Sequence, residues 1–136
     1  MTGRYIQAFL DEQKIHHISI CVRKATRTCT TLLDKFTGDM TELIEPAARV
    51  DAKDREILEQ TIKKLVTGSP QMEAIALCGT LPPGITGHIY TLVAQMKPPS
   101  IVLLLDAYQN AECLSTGKVD ILKINAEEAR VMACME

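Results

Sequence analysis

Apolar positions along the chain follow one rule before about residue 50 and another after it. Tyr5, Ile6, Phe9 and Leu10 recur at helical spacing and predict a short helix from about Gly3 to Lys14. Ile18, Ile20 and Val22 then alternate with polar or small neighbours, the pattern of a half-buried strand. Thr28 to Leu33, rich in β-branched residues, and Met40 to Ile44 predict two further extended segments, joined by the turn Thr37-Gly38-Asp39. Residues of about 16–50 therefore read as an antiparallel ribbon.

From Asp51 the period changes. Ile57, Leu58, Thr61, Ile62, Leu65 and Val66 predict a helix ending near Gly68 and Pro70. A short apolar strand, Ala74 to Leu77, stops at Gly79 and at Pro82-Pro83, which cannot donate to a sheet ladder. A helix from about Thr86 to Met96, a strand Ile101 to Leu105 introduced by Pro98-Pro99, a helical turn around Gln109 to Leu114, a strand Val119 to Leu122 and a helix from Ala126 to the terminus complete the alternation. Strands separated by helices imply parallel pairing with right-handed crossovers. Parallel strands end on one edge of their sheet, so Cys78-Gly79-Thr80, Asp106 and Lys123-Ile124-Asn125 should converge on a single rim, where parallel α/β sheets bind ligands.

Composition narrows the chemistry. One domain of 136 residues is large enough for one hydrophobic core. A formal net charge of −2 without a basic stripe argues against nucleic acid or an acidic membrane as partner. Aromatic residues make up only 4% and tryptophan is absent, which leaves little for stacking recognition of bases. No apolar run of about 18 residues and no signal-peptide pattern occur, so a cytoplasmic protein is expected. Cys21, Cys29, Cys78, Cys113 and Cys134 show no C-x-x-C spacing and predict reduced, mostly buried thiols. His16, His17 and His88 fall into no catalytic or zinc motif, and no Walker A sequence is present.

Individual rim residues admit plain structural roles. Asn125 with Glu128 three positions on forms the pattern of a helix capping box, and Lys123 is a strand-end lysine. Arg27 fits a solvated charge on an extended segment, and Asp106 fits a cap for the turn that follows it.

Cys78-Gly79-Thr80-Leu81-Pro82-Pro83-Gly84 resembles the S-G-S-L-P-P-G element of PfkB or ribokinase-like carbohydrate kinases. The strand ending in Asp106 resembles their V-x-x-D element, and Lys123-Ile124-Asn125-Ala126-Glu127-Glu128 resembles K-P-N-x-x-E. Thr26-Arg27-Thr28 and Thr41-Glu42-Leu43 are similar to elements of the phosphosugar branch, which includes 1-phosphofructokinase and tagatose-6-phosphate kinase. The resemblance implies a ribokinase-like α/β fold with a partial parallel sheet flanked by helices and an antiparallel lid ribbon. The whole of residues 1–136 would form one partial kinase domain, with the lid at about 16–50 and the α/β core at about 51–136.

The resemblance also implies ATP and Mg2+ as cofactors and a sugar or phosphosugar as substrate. Arg27, Cys78, Gly79 and Thr80 match substrate or phosphate-binding positions, and Lys123, Asn125 and Glu128 match positions linked to nucleotide phosphate and magnesium, with no direct metal ligand. Asp106 is a further rim residue. Two departures stand out: Cys78 replaces a serine and Ile124 a proline. The G-A-G-D segment that carries the family's catalytic base does not occur, so the chain resembles the central portion of such a kinase, inactive alone. A catalytically silent module that binds a phosphorylated ligand or a partner chain is the alternative. A truncated parallel sheet should leave an open edge and a bare apolar helix face, so a homo-oligomer is expected.

Overall fold

A computed structural model describes residues 2–68 and 71–133 of the chain. Its elements in order are α1 (Thr2–Glu12), β1 (Cys29–Leu33), β2 (Met40–Ile44), α2 (Ala52–Gly68), β3 (Ala74–Cys78), α3 (His88–Met96), β4 (Val102–Asp106), a 3-10 helix (Tyr108–Thr116), β5 (Ile121–Leu122) and α4 (Ala126–Met132). The strands form two sheets, an antiparallel pair β1-β2 and a parallel sheet of order β3-β4-β5.

The ribbon forms because Asp34 builds its turn. The Asp34 carboxylate accepts the amides of Phe36 at 2.7 Å and Thr37 at 3.3 Å, which holds its pKa below the usual aspartate value. Gly38 takes a φ of 78°, which glycine reaches without a Cβ clash, and its amide closes the turn on the Asp34 carbonyl at 2.9 Å. Cys29 lies opposite Ile44 and Leu33 opposite Met40, and every residue of both strands is exposed.

The expected strand at Ile18 to Val22 is not formed; residues 15–22 are irregular. Alternation marks a segment fit to be half buried, but a strand also needs a partner strand, and among the described residues none pairs with it. α1 is likewise uncovered: it buries none of its residues, and Tyr5, Ile6 and Phe9 face water.

The core lies on one face of the parallel sheet. Leu103 and Leu105 of β4 are fully buried beneath Ile89, Tyr90, Val93 and Ala94 of α3, Val66 of α2 and Cys113 of the 3-10 helix. Ile75 and Leu77 of β3 extend this layer. The opposite face, which carries Val102 and Ile121, is largely open to water. At the far end of the sheet from the rim, buried Lys97 donates to the Ile101 carbonyl at 2.7 Å and pairs with Asp120 at 3.0 Å. Asp120 also accepts the Leu103 amide at 2.7 Å, and these contacts hold its pKa low. The cluster ties the end of α3 to the entry of β4 and β5.

Most observed boundaries lie within about two residues of the expected ones. Pro70 and the last residues of the chain lie outside the described residues, so the expected course of the terminal helix is followed only to Met132. No helix is long and apolar enough to cross a membrane among the described residues.

Candidate functional site

Parallel register aligns the strand ends. Cys78 pairs with Asp106, and the Gly79 amide donates to the Asp106 carbonyl at 3.1 Å, so the first two rim elements are stitched together by backbone. The Lys123 amide donates to the Leu105 carbonyl at 2.9 Å and brings the third beside them. Gly79 has a φ of 89°, which breaks the strand pleat and turns the chain toward Thr80.

On this frame Lys123 Nζ lies 2.9 Å from Asp106 Oδ2. The hydrogen bond to Asp106, then its charge, raise the Lys123 pKa, with smaller contributions from Glu128 and Cys78. Both side chains reach solvent, so the pair can exchange Asp106 for another anion. Asn125 and Glu128 form the reciprocal capping box of α4: Asn125 Oδ1 accepts the Glu128 amide, and Glu128 Oε2 accepts the Asn125 amide, both at 2.8 Å. The box occupies one oxygen of each side chain and leaves the second Glu128 oxygen to the rim.

Two cavities meet here. One of about 250 Å³ is lined by Gly79, Thr80, Asp106, Ala107, Tyr108, Gln109 and Glu128. The other, about 340 Å³, lies between the lead-in to the ribbon and the 80–85 turn, where Arg27, Thr80, Leu81 and Asp54 are among its walls. Thr80 belongs to both. Arg27 stands two residues before β1 rather than within the ribbon ladder, and it makes no ion pair among the described residues. Asn125, Cys78 and Lys123 line neither cavity, although Lys123 reaches the wall through Asp106.

The PPG turn is fixed to the ribbon's return arm. The Val50 amide donates to the Pro83 carbonyl at 2.8 Å, and Gly84, with φ at 95°, passes so close that a Cβ there would collide with the Val50 carbonyl oxygen. Glycine is required at this point on both counts.

The expectation of mostly buried thiols is corrected: Cys21, Cys29 and Cys78 are exposed, and among the described cysteines only Cys113 is buried. Cys21 and Cys29 lie on the uncovered ribbon side of the chain, and Cys78 projects from the open face of β3.

The sequence motifs do not single out Tyr108 and Gln109, although their position directly after a parallel strand is a usable signal. Among the described residues no group of three or more His, Cys, Asp or Glu side chains could hold a metal ion. Two carboxylates, Glu128 and the Lys123-paired Asp106, stand on the wall of the smaller cavity.

Two solved structures share this architecture. A possible 1-phosphofructokinase from Thermotoga maritima matches 92% of this chain and 40% of its own at 14% identity, with a TM-score of 0.76. Phosphofructokinase-2 from Escherichia coli, in a tetrameric inhibited form, matches 99% of this chain and 44% of its own at 19% identity, with a TM-score of 0.77. The chain thus spans less than half the length of either. No protein-family model matches the sequence, and at these identities the likeness is one of fold: the chain has the ribokinase-like α/β fold, with a parallel sheet and an antiparallel ribbon.

Proposed function

We propose that this chain supplies one wall of an ATP-dependent sugar or phosphosugar kinase site. The observation that carries the reading is the meeting of two cavities at Thr80, with Arg27 in one and Asp106 and Glu128 in the other. A transfer between two phosphorylated molecules needs this arrangement, with one pocket for each and a shared wall at the point of transfer.

In this reading the Arg27 fork binds the phosphate of a phosphosugar, since guanidinium bonds two oxygens at once. Of the Cys78-Gly79-Thr80 turn, Thr80 lines the acceptor side and its hydroxyl orients the sugar, while Gly79 lines the other cavity and Cys78 anchors the turn at the end of β3. Lys123 leaves Asp106 for the transferring phosphate and balances its charge. Asn125 and Glu128 hold the α4 start in place through their capping box, and Glu128, on the wall of the smaller cavity, would be the residue to hold a magnesium ion through its waters. ATP with magnesium supplies the phosphoryl group when bound. The base is assigned to none of these residues, in keeping with the absence of a G-A-G-D segment. Residues of about 16–50 act as the lid over the substrate side.

Titration calorimetry with fructose 1-phosphate, fructose 6-phosphate and tagatose 6-phosphate tests the reading, run beside a coupled ADP-release assay. At least one sugar phosphate is expected to bind with a Kd of about 1 mM, near −4 kcal/mol, and to lose that affinity in Arg27→Ala. No ADP release above background is expected. A chain that binds none of the three overturns the proposal. Turnover abolished by the Asn125→Ala, Glu128→Ala double variant would show that the chain completes its own site, against the assignment of a single wall.

The ribbon supports a homo-oligomer. A two-stranded hairpin is marginal in water alone, yet Leu33 and Met40, each 65% exposed, share one face with Cys29 and Ile44. The Escherichia coli neighbour is described as tetrameric. The occupant of this face is a second copy of the chain. Light scattering at micromolar concentration is expected to give a dimer or larger species that Leu33→Glu dissociates; a wild-type monomer sinks the idea.

A further inference from the structure

We propose that Tyr90 is a positioning residue for the Gly79–Thr80 turn. Tyr90 lies on α3 with 6% of its surface exposed, its ring packed in the core among Ile89, Val93 and Leu103. Its hydroxyl sits 3.4 Å from the Cys78 carbonyl oxygen and 3.3 Å from that of Gly79. One proton is thus shared between two acceptors, a three-centre bond in which neither half is strong.

The geometry is informative because the two carbonyls are consecutive. Successive carbonyls of an extended strand point to opposite sides, so both can face one donor only where the pleat is broken between them. Gly79, at φ 89°, makes that break. Tyr90 and Gly79 therefore select the same local conformation, one by its hydroxyl and the other by its missing Cβ. That conformation sets the direction in which Thr80 leaves β3, and Thr80 is the residue common to the two cavities. Burial, first, and the neighbouring Cys78 and Cys113 raise the hydroxyl pKa, so it remains a protonated donor at neutral pH. Burial conceals this role, because Tyr90 lies on the buried face of α3 beside Ile89, Val93 and Ala94.

A hydroxyl that serves only its own burial would affect stability and nothing else. The test is Tyr90→Phe in the full chain, which keeps the ring and removes the donor. Carbonyl carbon shifts of Cys78 and Gly79 and amide exchange at Gly79 are followed by NMR, with fructose 6-phosphate affinity by calorimetry. Both carbonyl resonances are expected to move, exchange of the Gly79 amide, which donates to the Asp106 carbonyl, to rise about 3- to 10-fold, and affinity to fall by a similar factor, the size of one lost neutral hydrogen bond. A lower Tm with unchanged resonances and exchange at residues 78–80 overturns the proposal.

The affinity measurement rests on the proposed kinase reading, whereas the NMR measurement does not. A wild-type chain that fails to bind fructose 6-phosphate counts against that ligand, and the resonances still decide the role of Tyr90. If Tyr90→Phe does not fold, 3-fluorotyrosine at position 90 keeps the ring and makes the hydroxyl a stronger donor. The Cys78 and Gly79 carbonyl shifts must then follow it, and fixed shifts would overturn the assignment.

Discussion

Replacing Gly84 with alanine is expected to loosen the ribbon from the site wall and to destabilise the chain by several kcal/mol. The new Cβ would collide with the Val50 carbonyl oxygen and crowd the Val50 carbonyl carbon and amide nitrogen at 3.2 and 3.3 Å. All three are backbone atoms, so no side chain can swing away. The positive φ of Gly84 adds about 1–2 kcal/mol for an L residue, and overpacking adds about 1–3 kcal/mol. The hydrogen bond from the Val50 amide to Pro83 is the contact that gives way. Gly38→Ala is the matched control, since Gly38 also has positive φ but nothing within 4 Å of the place its Cβ would take. Thermal unfolding should separate the two variants, and amide exchange at Val50 should accelerate only in Gly84→Ala. Equal losses would show that the Val50 contact carries no energy.

Leu105→Ala is expected to be as costly. Leu105 is fully buried on the central strand, between Leu77 of β3 and Leu122 of β5 in register. Truncating such a side chain costs about 2–5 kcal/mol, a large share of the about 5–15 kcal/mol that holds a domain together. Its carbonyl also receives the Lys123 amide, and its neighbour Asp106 holds the Lys123 side chain, so the cavity would form beneath the rim itself. The urea midpoint is expected to fall by about 1–3 M, for the usual dependence of about 1–3 kcal/mol per M. A shift below roughly 0.5 M would mean that α3 collapses into the space and Leu105 is no keystone of the sheet.

The rim is legible in the sequence because parallel topology does most of the work. Once Ala74–Leu77, Ile101–Leu105 and Val119–Leu122 are read as strands separated by crossovers, Cys78, Asp106 and Lys123 must end on one edge, and they do. The capping box of Asn125 and Glu128 is equally plain, since it depends on three intervening peptide bonds and on nothing distant. What periodicity does not show is whether a partner exists. Ile18 to Val22 alternate as a strand does and remain irregular, because hydrogen bonds between strands require a second backbone. The same limit applies to the thiols: an apolar residue type is no evidence that something covers it, as exposed Cys29 and Cys78 show. The approach of Gly84 to Val50 and the reach of Tyr90 to residues 78 and 79 join segments well separated along the chain, and they belong to the packing alone.

The open face of the parallel sheet bears on the thermodynamics of the isolated chain. Heat capacity rises on unfolding chiefly because apolar surface meets water for the first time, typically by about 12–15 cal/mol/K per residue. Val102 and Ile121, together with Tyr5 and Phe9 of α1, already meet it in the native state. The increment for this chain therefore lies below that norm, and its curve of free energy against temperature is the flatter for it. Cooling would weaken the fold only gradually, and any partner that covers the face would sharpen the curve as well as raise it.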